Sequence, residues 1–338
     1  MQFMVNIDLP KLPEAIRYGQ GILLTGSCFT EHIGDALHDL KFSVLQNPHG
    51  ILFDPLSVSK SLISYVENKQ YQESDLFQLN EVWHSWQHHS RFSNVEKQEC
   101  LRIINESQTK AHNFLKDADW LIITLGSSFN YNLNEDSSQI PPLGGGGAVA
   151  NCHRAPAQWF TKNLLEADEI IKSFDECFRL LKQFNPGIKI IFTISPVRHI
   201  RDGVVDNNRS KARLIESVHR LVSKYDYVHY FPAYELVIDV LRDYRFYDAD
   251  LVHPNYAATE FVLEKFAESC IDEASVQLMD DIRKIVIASK HKPFQPTTNA
   301  HKQFLMVHYE KAKMMMDKYP FLDFKKELAY FSQSSDKL

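Results

Sequence analysis

Four short apolar runs stand out along the chain: Ile22–Thr25, Trp120–Leu125, Ile188–Ile194 and Val228–Phe231. They are continuous rather than alternating, so each predicts a strand buried on both faces, as in a parallel sheet. Helical spacing fills the intervals. Ile170, Phe174, Phe178 and Leu181 form one apolar stripe that stops at the breaker Asn185-Pro186-Gly187. Leu214, Val218, Leu221 and Val222 form a second stripe just before the Val228 run. Strand–helix alternation of this kind predicts a doubly wound α/β sheet.

Two regions fall outside the alternation. Residues 68–95 are polar and rich in His and Trp, and read as an insertion. Residues 271–338 hold no clear strand. Helices are expected around Val276–Ile287 and Phe304–Met316, joined by the Pro-containing segment His291–Thr298, as a C-terminal extension packed on the core. Met314–Met316 reads as packing. Gly144–Gly147 reads as a flexible loop. It is no phosphate cradle, because no P-loop Lys-Ser/Thr follows it.

Composition narrows the class. The 338 residues are 44% hydrophobic and 24% charged, ordinary for a globular chain with a large core. A net charge of -6 offers no basic footprint for nucleic acid. Five scattered cysteines form no C-x-x-C pair, so neither a zinc ribbon nor a disulfide framework is expected, and reduced thiols are. The first apolar run is too short for a leader or a membrane span. The expectation is a cytoplasmic protein with no membrane partner and no cofactor.

The chemistry is read from two elements. In Ile22-Leu23-Leu24-Thr25-Gly26-Ser27-Cys28-Phe29 a strand runs into Gly26-Ser27, and a helix is expected to start near Thr30-Glu31. Open α/β sheets carry their sites at strand carboxyl ends, so Ser27 is placed at the crevice, beside N–H groups able to stabilise an oxyanion. Taken alone, it reads equally as a helix cap. The second element is Asp248-Ala249-Asp250-Leu251-Val252-His253-Pro254-Asn255. A Ser hydroxyl needs a base such as imidazole, and the imidazole needs a carboxylate to hold its tautomer. Asp250 and His253 lie close enough in sequence for one turn to supply both. A Ser after the first strand and Asp-x-x-His before the last core helix, Tyr256–Phe266, is the chain order of the SGNH hydrolases. No G-x-S-x-G occurs, which argues against an ordinary α/β-hydrolase.

Gly26-Ser27-Cys28-Phe29-Thr30 resembles the signature of the GSCFA family, with Thr in place of the final Ala. The resemblance continues through Asn47–Pro55, Trp83–Trp86 with His88–Phe92, Thr124-Leu125-Gly126, Val149–His153, Ser195–His199 and Asp250–Asn255, and covers about residues 20–260. It implies a three-layer αβα, flavodoxin-like SGNH fold with a mostly parallel sheet. The implied division is a catalytic domain over residues 1–270 and a helical extension over 271–338. It also implies Ser27, Asp250 and His253 as the triad. The oxyanion hole of such enzymes uses the nucleophile N–H, a Gly and an Asn, so Ser27 and Gly50 are expected there. The third block reads Gly126-Ser127-Ser128-Phe129, which puts Ser128 where that Asn would stand, with Asn151 as the alternative donor.

Further candidates surround these. His84 and His88 have i, i+4 spacing, but only Glu81 is near as a third ligand, so no metal site is expected and a position over or beneath the active-site mouth is. Cys152-His153 and Ser27-Cys28 are adjacent pairs whose side chains diverge on extended chain. His49, His84, His88, His153 and Arg198 are the candidate substrate-binding residues, with His199 and Arg201 beside Arg198. The expected activity is hydrolysis of an ester through an acyl-enzyme, with a short acyl group on a carbohydrate or small metabolite as the partner. An acyltransferase on the same triad and a non-catalytic scaffold are the rival readings. The C-terminal helices are a candidate oligomer surface.

Overall fold

The computed structural model describes residues 4–134 and 147–332. Five strands form one parallel sheet: β1 (Gly21–Gly26), β2 (Ser43–Gln46), β5 (Trp120–Leu125), β9 (Lys189–Ile194) and β10 (Val228–Tyr230). Their order is β10-β9-β5-β1-β2. The chain leaves β1 toward one edge and returns to its other side as β5, so the order reverses there. A crevice therefore opens beyond the carboxyl ends of β1 and β5.

Successive residues explain the continuous apolar runs. Ile22, Leu24, Ile122 and Ile191 enter the core on one face, and Leu23, Ile123, Ile190 and Phe192 enter the core on the other. The first face is covered by α1 (Cys28–Asp39), α6 (Ala233–Glu235, running on as a π-turn over Leu236–Leu241) and α7 (Tyr256–Cys270). The second is covered by α2 (Pro55–Glu67), α3 (Lys97–Asp117), α4 (Ala167–Phe184) and α5 (Val204–Lys224). The two apolar stripes read from the sequence lie on α4 and α5. This is the expected three-layer α/β architecture, with every described strand of the main sheet parallel.

Three features were not anticipated. β2 is short and its burial mixed, so it carried no apolar run. Residues 68–95 include an antiparallel hairpin, β3 (Phe77–Leu79) and β4 (Val82–His84), framed by short 3₁₀ turns. A second small antiparallel sheet is built from β6 (Phe129–Leu133), β7 (Ala148–Val149) and β8 (Phe160–Leu164) in the order β7-β6-β8. The first three glycines of the Gly144–Gly147 run lie outside the described residues.

The tail is helical: α8 (Glu273–Ser289), α9 (Asn299–Lys318) and α10 (Lys325–Ser332). Met279, Ile282, Leu305, Phe324 and Phe331 continue the same core cluster that holds Ile22 and Leu24. All five cysteines are free. No described helix is long and apolar enough to cross a membrane.

Candidate active site

Ser27 ends up at the crevice for local reasons. Gly26 has φ +139°, and a Cβ there would stand 2.1 Å from the Thr124 carbonyl oxygen, so only glycine lets β1 turn this close to β5. Ser27 follows in extended backbone and α1 begins at once, earlier than expected. It occupies the N-cap position, but its side chain caps nothing. Its Oγ is buried with no hydrogen-bond partner among the described residues. A buried hydroxyl without a partner is uncommon, and catalytic centres are one place it occurs. The N-cap explanation of Ser27 is thereby removed.

Asp250 and His253 form a compact unit. Asp250 Oδ1 accepts from the Val252 and His253 amides at 2.9 and 3.0 Å, and His253 Nδ1–H donates to Asp250 Oδ2 at 2.7 Å. Those donors, His253 first among them, hold the Asp250 carboxyl down at about 2. Leu251, between them, adopts the left-handed region at φ 60°, a strained geometry for a leucine. With Nδ1 committed to the carboxylate, Nε2 is left as the acceptor.

The two halves meet through the strand-end loops. The Ser27 amide donates to Thr124 O on β5. Phe53 closes over Gly126, whose Cα lies against the Ser27 side chain, and the His199 ring meets the Phe53 ring edge-on at 5.5 Å. The Arg198 amide donates to Val252 O at 3.3 Å. No hydrogen bond joins Ser27 Oγ to His253. Ser27 is 1% exposed, whereas the His253 side chain is 42% exposed.

The expected oxyanion donors are differently placed. The Ser27 N–H is taken by Thr124 O, and the Gly50 N–H donates to Asn47 O at 2.7 Å. Ser128 is fully buried. Its hydroxyl donates to the Ser210 carbonyl and its amide to Ser210 Oγ, so it braces α5 instead of facing a substrate. Asn151 Oδ1 accepts from the His153 amide, which leaves the Asn151 side-chain NH2 without an acceptor among the described residues.

The expected substrate-binding histidines are placed elsewhere than in an open pocket. His49, His84, His88 and His153 are all buried. His49 Nε2–H donates to Gln108 Oε1, His153 Nε2–H donates to the Ser85 carbonyl, His84 Nδ1 pairs with Ser93 Oγ and His88 Nδ1 with Ser85 Oγ. The His49 and His88 rings lie 4.0 Å apart, and His84 and His153 rings 4.6 Å apart. Burial pushes the imidazoles of His49 and His153 down to about 4. His84 is the last residue of β4 and His88 lies in the turn beyond it, so the i, i+4 spacing brings no shared face. The described residues contain no group of three or more His, Cys, Asp or Glu placed to hold a metal. The cluster instead seats the hairpin on the Gly50 loop. Gly50 has φ +81°, and a Cβ there would meet His89 Cβ at 2.2 Å. Arg198 stays at the crevice rim, its guanidinium over Tyr247 at 4.2 Å.

Sequence reasoning missed Asn207, Ser210 and Lys211. All three are buried on α5 and bond strand-end loops: Asn207 to the His199 amide, Ser210 to Ser128, and Lys211 to Gly126 and Ser195. The signal was available. The stripe Leu214, Val218, Leu221, continued toward the N-terminus, lands on Ser210 and Lys211 after one turn and on Asn207 after two.

The fold thus places a buried, unpartnered serine at the switch point of a parallel α/β sheet and a preformed Asp–His pair in the turn before the last core helix. The chain belongs to the GSCFA family, whose model matches residues 21–266. A second model, the GSCFA domain protein C-terminal domain, matches residues 282–336. No curated protein matches the chain. Among solved structures, it is similar to an acetyl xylan esterase, Est2A, from the rumen bacterium Butyrivibrio proteoclasticus, at 11% identity and a TM-score of 0.35. The match covers 74% of this chain and 63% of that one, less than two thirds of the esterase's length.

Proposed function

We propose that the protein is a serine hydrolase of the SGNH type, cleaving a short-chain ester with Ser27 as nucleophile, His253 as base and Asp250 as its orienting carboxylate. The observation that supports this reading is the unpartnered Ser27 Oγ at the carboxyl end of β1, linked through Phe53, His199 and Arg198 to an Asp250–His253 pair already joined at 2.7 Å. Rotation of Ser27 toward His253 Nε2 brings the base into play, and such bonds tighten in the substrate complex. His253 takes the Ser27 proton as Oγ attacks the carbonyl carbon, and Asp250 stabilises the imidazolium. The tetrahedral oxyanion then collapses, expelling the alcohol, which receives the proton from His253. Water, deprotonated by His253, releases the acid and restores Ser27.

Oxyanion stabilisation in this reading comes from the N-terminus of α1 and the side-chain amide of Asn151, because the Ser27 and Gly50 amides are engaged at rest. The burial of Ser27, with Gly126 against its side chain, favours a small acyl group such as acetyl, on a carbohydrate or other small alcohol. The same geometry supports transfer to a second hydroxyl if an acceptor displaces water.

The test is covalent labelling with a small fluorophosphonate, read by intact mass and peptide mapping. One adduct on Ser27, absent in Ser27→Ala, is the expected result. Failure of the wild type to label with several phosphonates, together with no turnover of acetyl esters, would leave a non-catalytic scaffold. Product analysis with an added acceptor alcohol separates hydrolysis from transfer.

A further inference from the structure

Lys211 is the most deeply buried Lys, Arg, Asp or Glu among the described residues. It is 2% exposed and forms no ion pair among the described residues. Burying an ammonium without a carboxylate is costly, and such groups persist where a specific geometry needs them. Lys211 Nζ donates to the Gly126 and Ser195 carbonyls, each at 2.6 Å, and faces the Tyr234 ring at 5.8 Å. Burial pulls its ammonium down to about 7, a direction that fits the absence of a counter-charge.

The two carbonyls belong to different halves of the site. Gly126 follows β5, which receives the Ser27 amide through Thr124, and lies against the Ser27 side chain. Ser195 follows β9 and opens the loop whose Arg198 amide donates to Val252, inside the Asp250–His253 turn. One buried ammonium therefore joins the loop that walls the nucleophile to the loop whose Arg198 amide holds the turn of the base. Asn207 and Ser210, one turn before and adjacent on α5, hold the same two loops at His199 and Ser128.

We propose that Lys211 is a positioning residue of the Ser27 site, a clamp from α5 that sets the nucleophile half against the base half. The proposal rests on the serine-hydrolase reading for its consequence in rate, but not for its consequence in structure. A misplacement of about 1 Å between reacting groups costs about a hundredfold.

The experiment compares wild type, Lys211→Met and Lys211→Gln, each shown folded by its melting curve. Fluorophosphonate inactivation is resolved into Ki and kinact, and amide hydrogen exchange is followed by mass spectrometry. Lys211→Met is expected to lower kinact by about ten- to a hundredfold with Ki unchanged. Lys211→Gln, which keeps a donor, is expected to recover part of the loss. Peptides covering residues 195–199 and 250–254 are expected to exchange faster in Lys211→Met while those of α9 do not change. Unchanged kinact and exchange in folded Lys211→Met overturn the proposal, as does a Gln variant no better than Met. Where Lys211→Met fails to fold, Lys211→Gln alone carries the comparison with wild type. If the wild type itself does not label, the hydrolase reading fails, and exchange at residues 250–254 alone decides the clamp.

Discussion

Asp250 holds both the backbone of its own turn and the ring of His253. Replacing it by Asn keeps a side-chain acceptor for the backbone but offers the imidazole a neutral group that permits the wrong tautomer. Asp250→Asn is therefore expected to slow fluorophosphonate labelling of Ser27 by roughly 10²–10⁴-fold while leaving the melting temperature close to wild type. A labelling rate equal to wild type would remove Asp250 from the site. Its pH behaviour follows from a carboxyl held at about 2 against an ordinary 3.8. The folded form holds the carboxylate more tightly than the unfolded chain does. Its contribution is thus complete above about pH 4 and is lost as the pH falls through about 2.

At the scale of elements, the hairpin β3–β4, the Gly50 loop and the 151–154 segment are held together by the buried histidines. The ordinary imidazole value is 6.5, and burial brings His49 to about 4. Below pH 6.5 the unfolded chain binds protons that the folded form refuses, so stability is full above that value and falls as the pH drops toward 4. For His49 alone the loss approaches about 3 kcal/mol. Urea midpoints measured from pH 7 to pH 4.5 are expected to fall steeply, and His49→Gln is expected to flatten that slope. An identical slope in the variant would show that His49 is not among the groups responsible. The i, i+4 spacing of His84 and His88 does not make them neighbours here: β4 and a following turn put His84 against Ser93 and His88 against His49. Spacing along a chain defines neighbours only once the element is known.

For the whole molecule, the tail matters as a brace. Phe324 is fully buried, and Lys41, from the turn after α1, reaches across to Glu327 at 2.7 Å while lying over the Phe324 ring. Glu327 is nearly fully buried, so deleting its partner strands a carboxylate in the interior. Lys41→Met is expected to cost about 3 kcal/mol of unfolding free energy. The double variant Lys41→Met, Glu327→Leu is expected to recover most of it, because an apolar pair needs no desolvation of charge. Chemical denaturation of the single and double variants measures both, and equal losses in the two would contradict a brace built on that ion pair.

The sequence by itself determined four of the five strands of the central sheet and the helices α4, α5 and α7, because burial on two faces or one writes itself directly into residue order. It also determined the Asp250–His253 turn, since one short local segment supplies both groups. Tertiary structure alone decided how the rest is used. Ser27 became a buried hydroxyl without a cap because Gly26 lets β1 approach β5. Ser128 left the list of oxyanion donors because Ser210, 82 residues away, takes its hydroxyl. Lys211 came to bridge the Gly126 and Ser195 carbonyls because α5 sets it between two strand ends. Contacts between residues far apart in the chain depend on packing, and local pattern carries no record of which partner a polar group will meet.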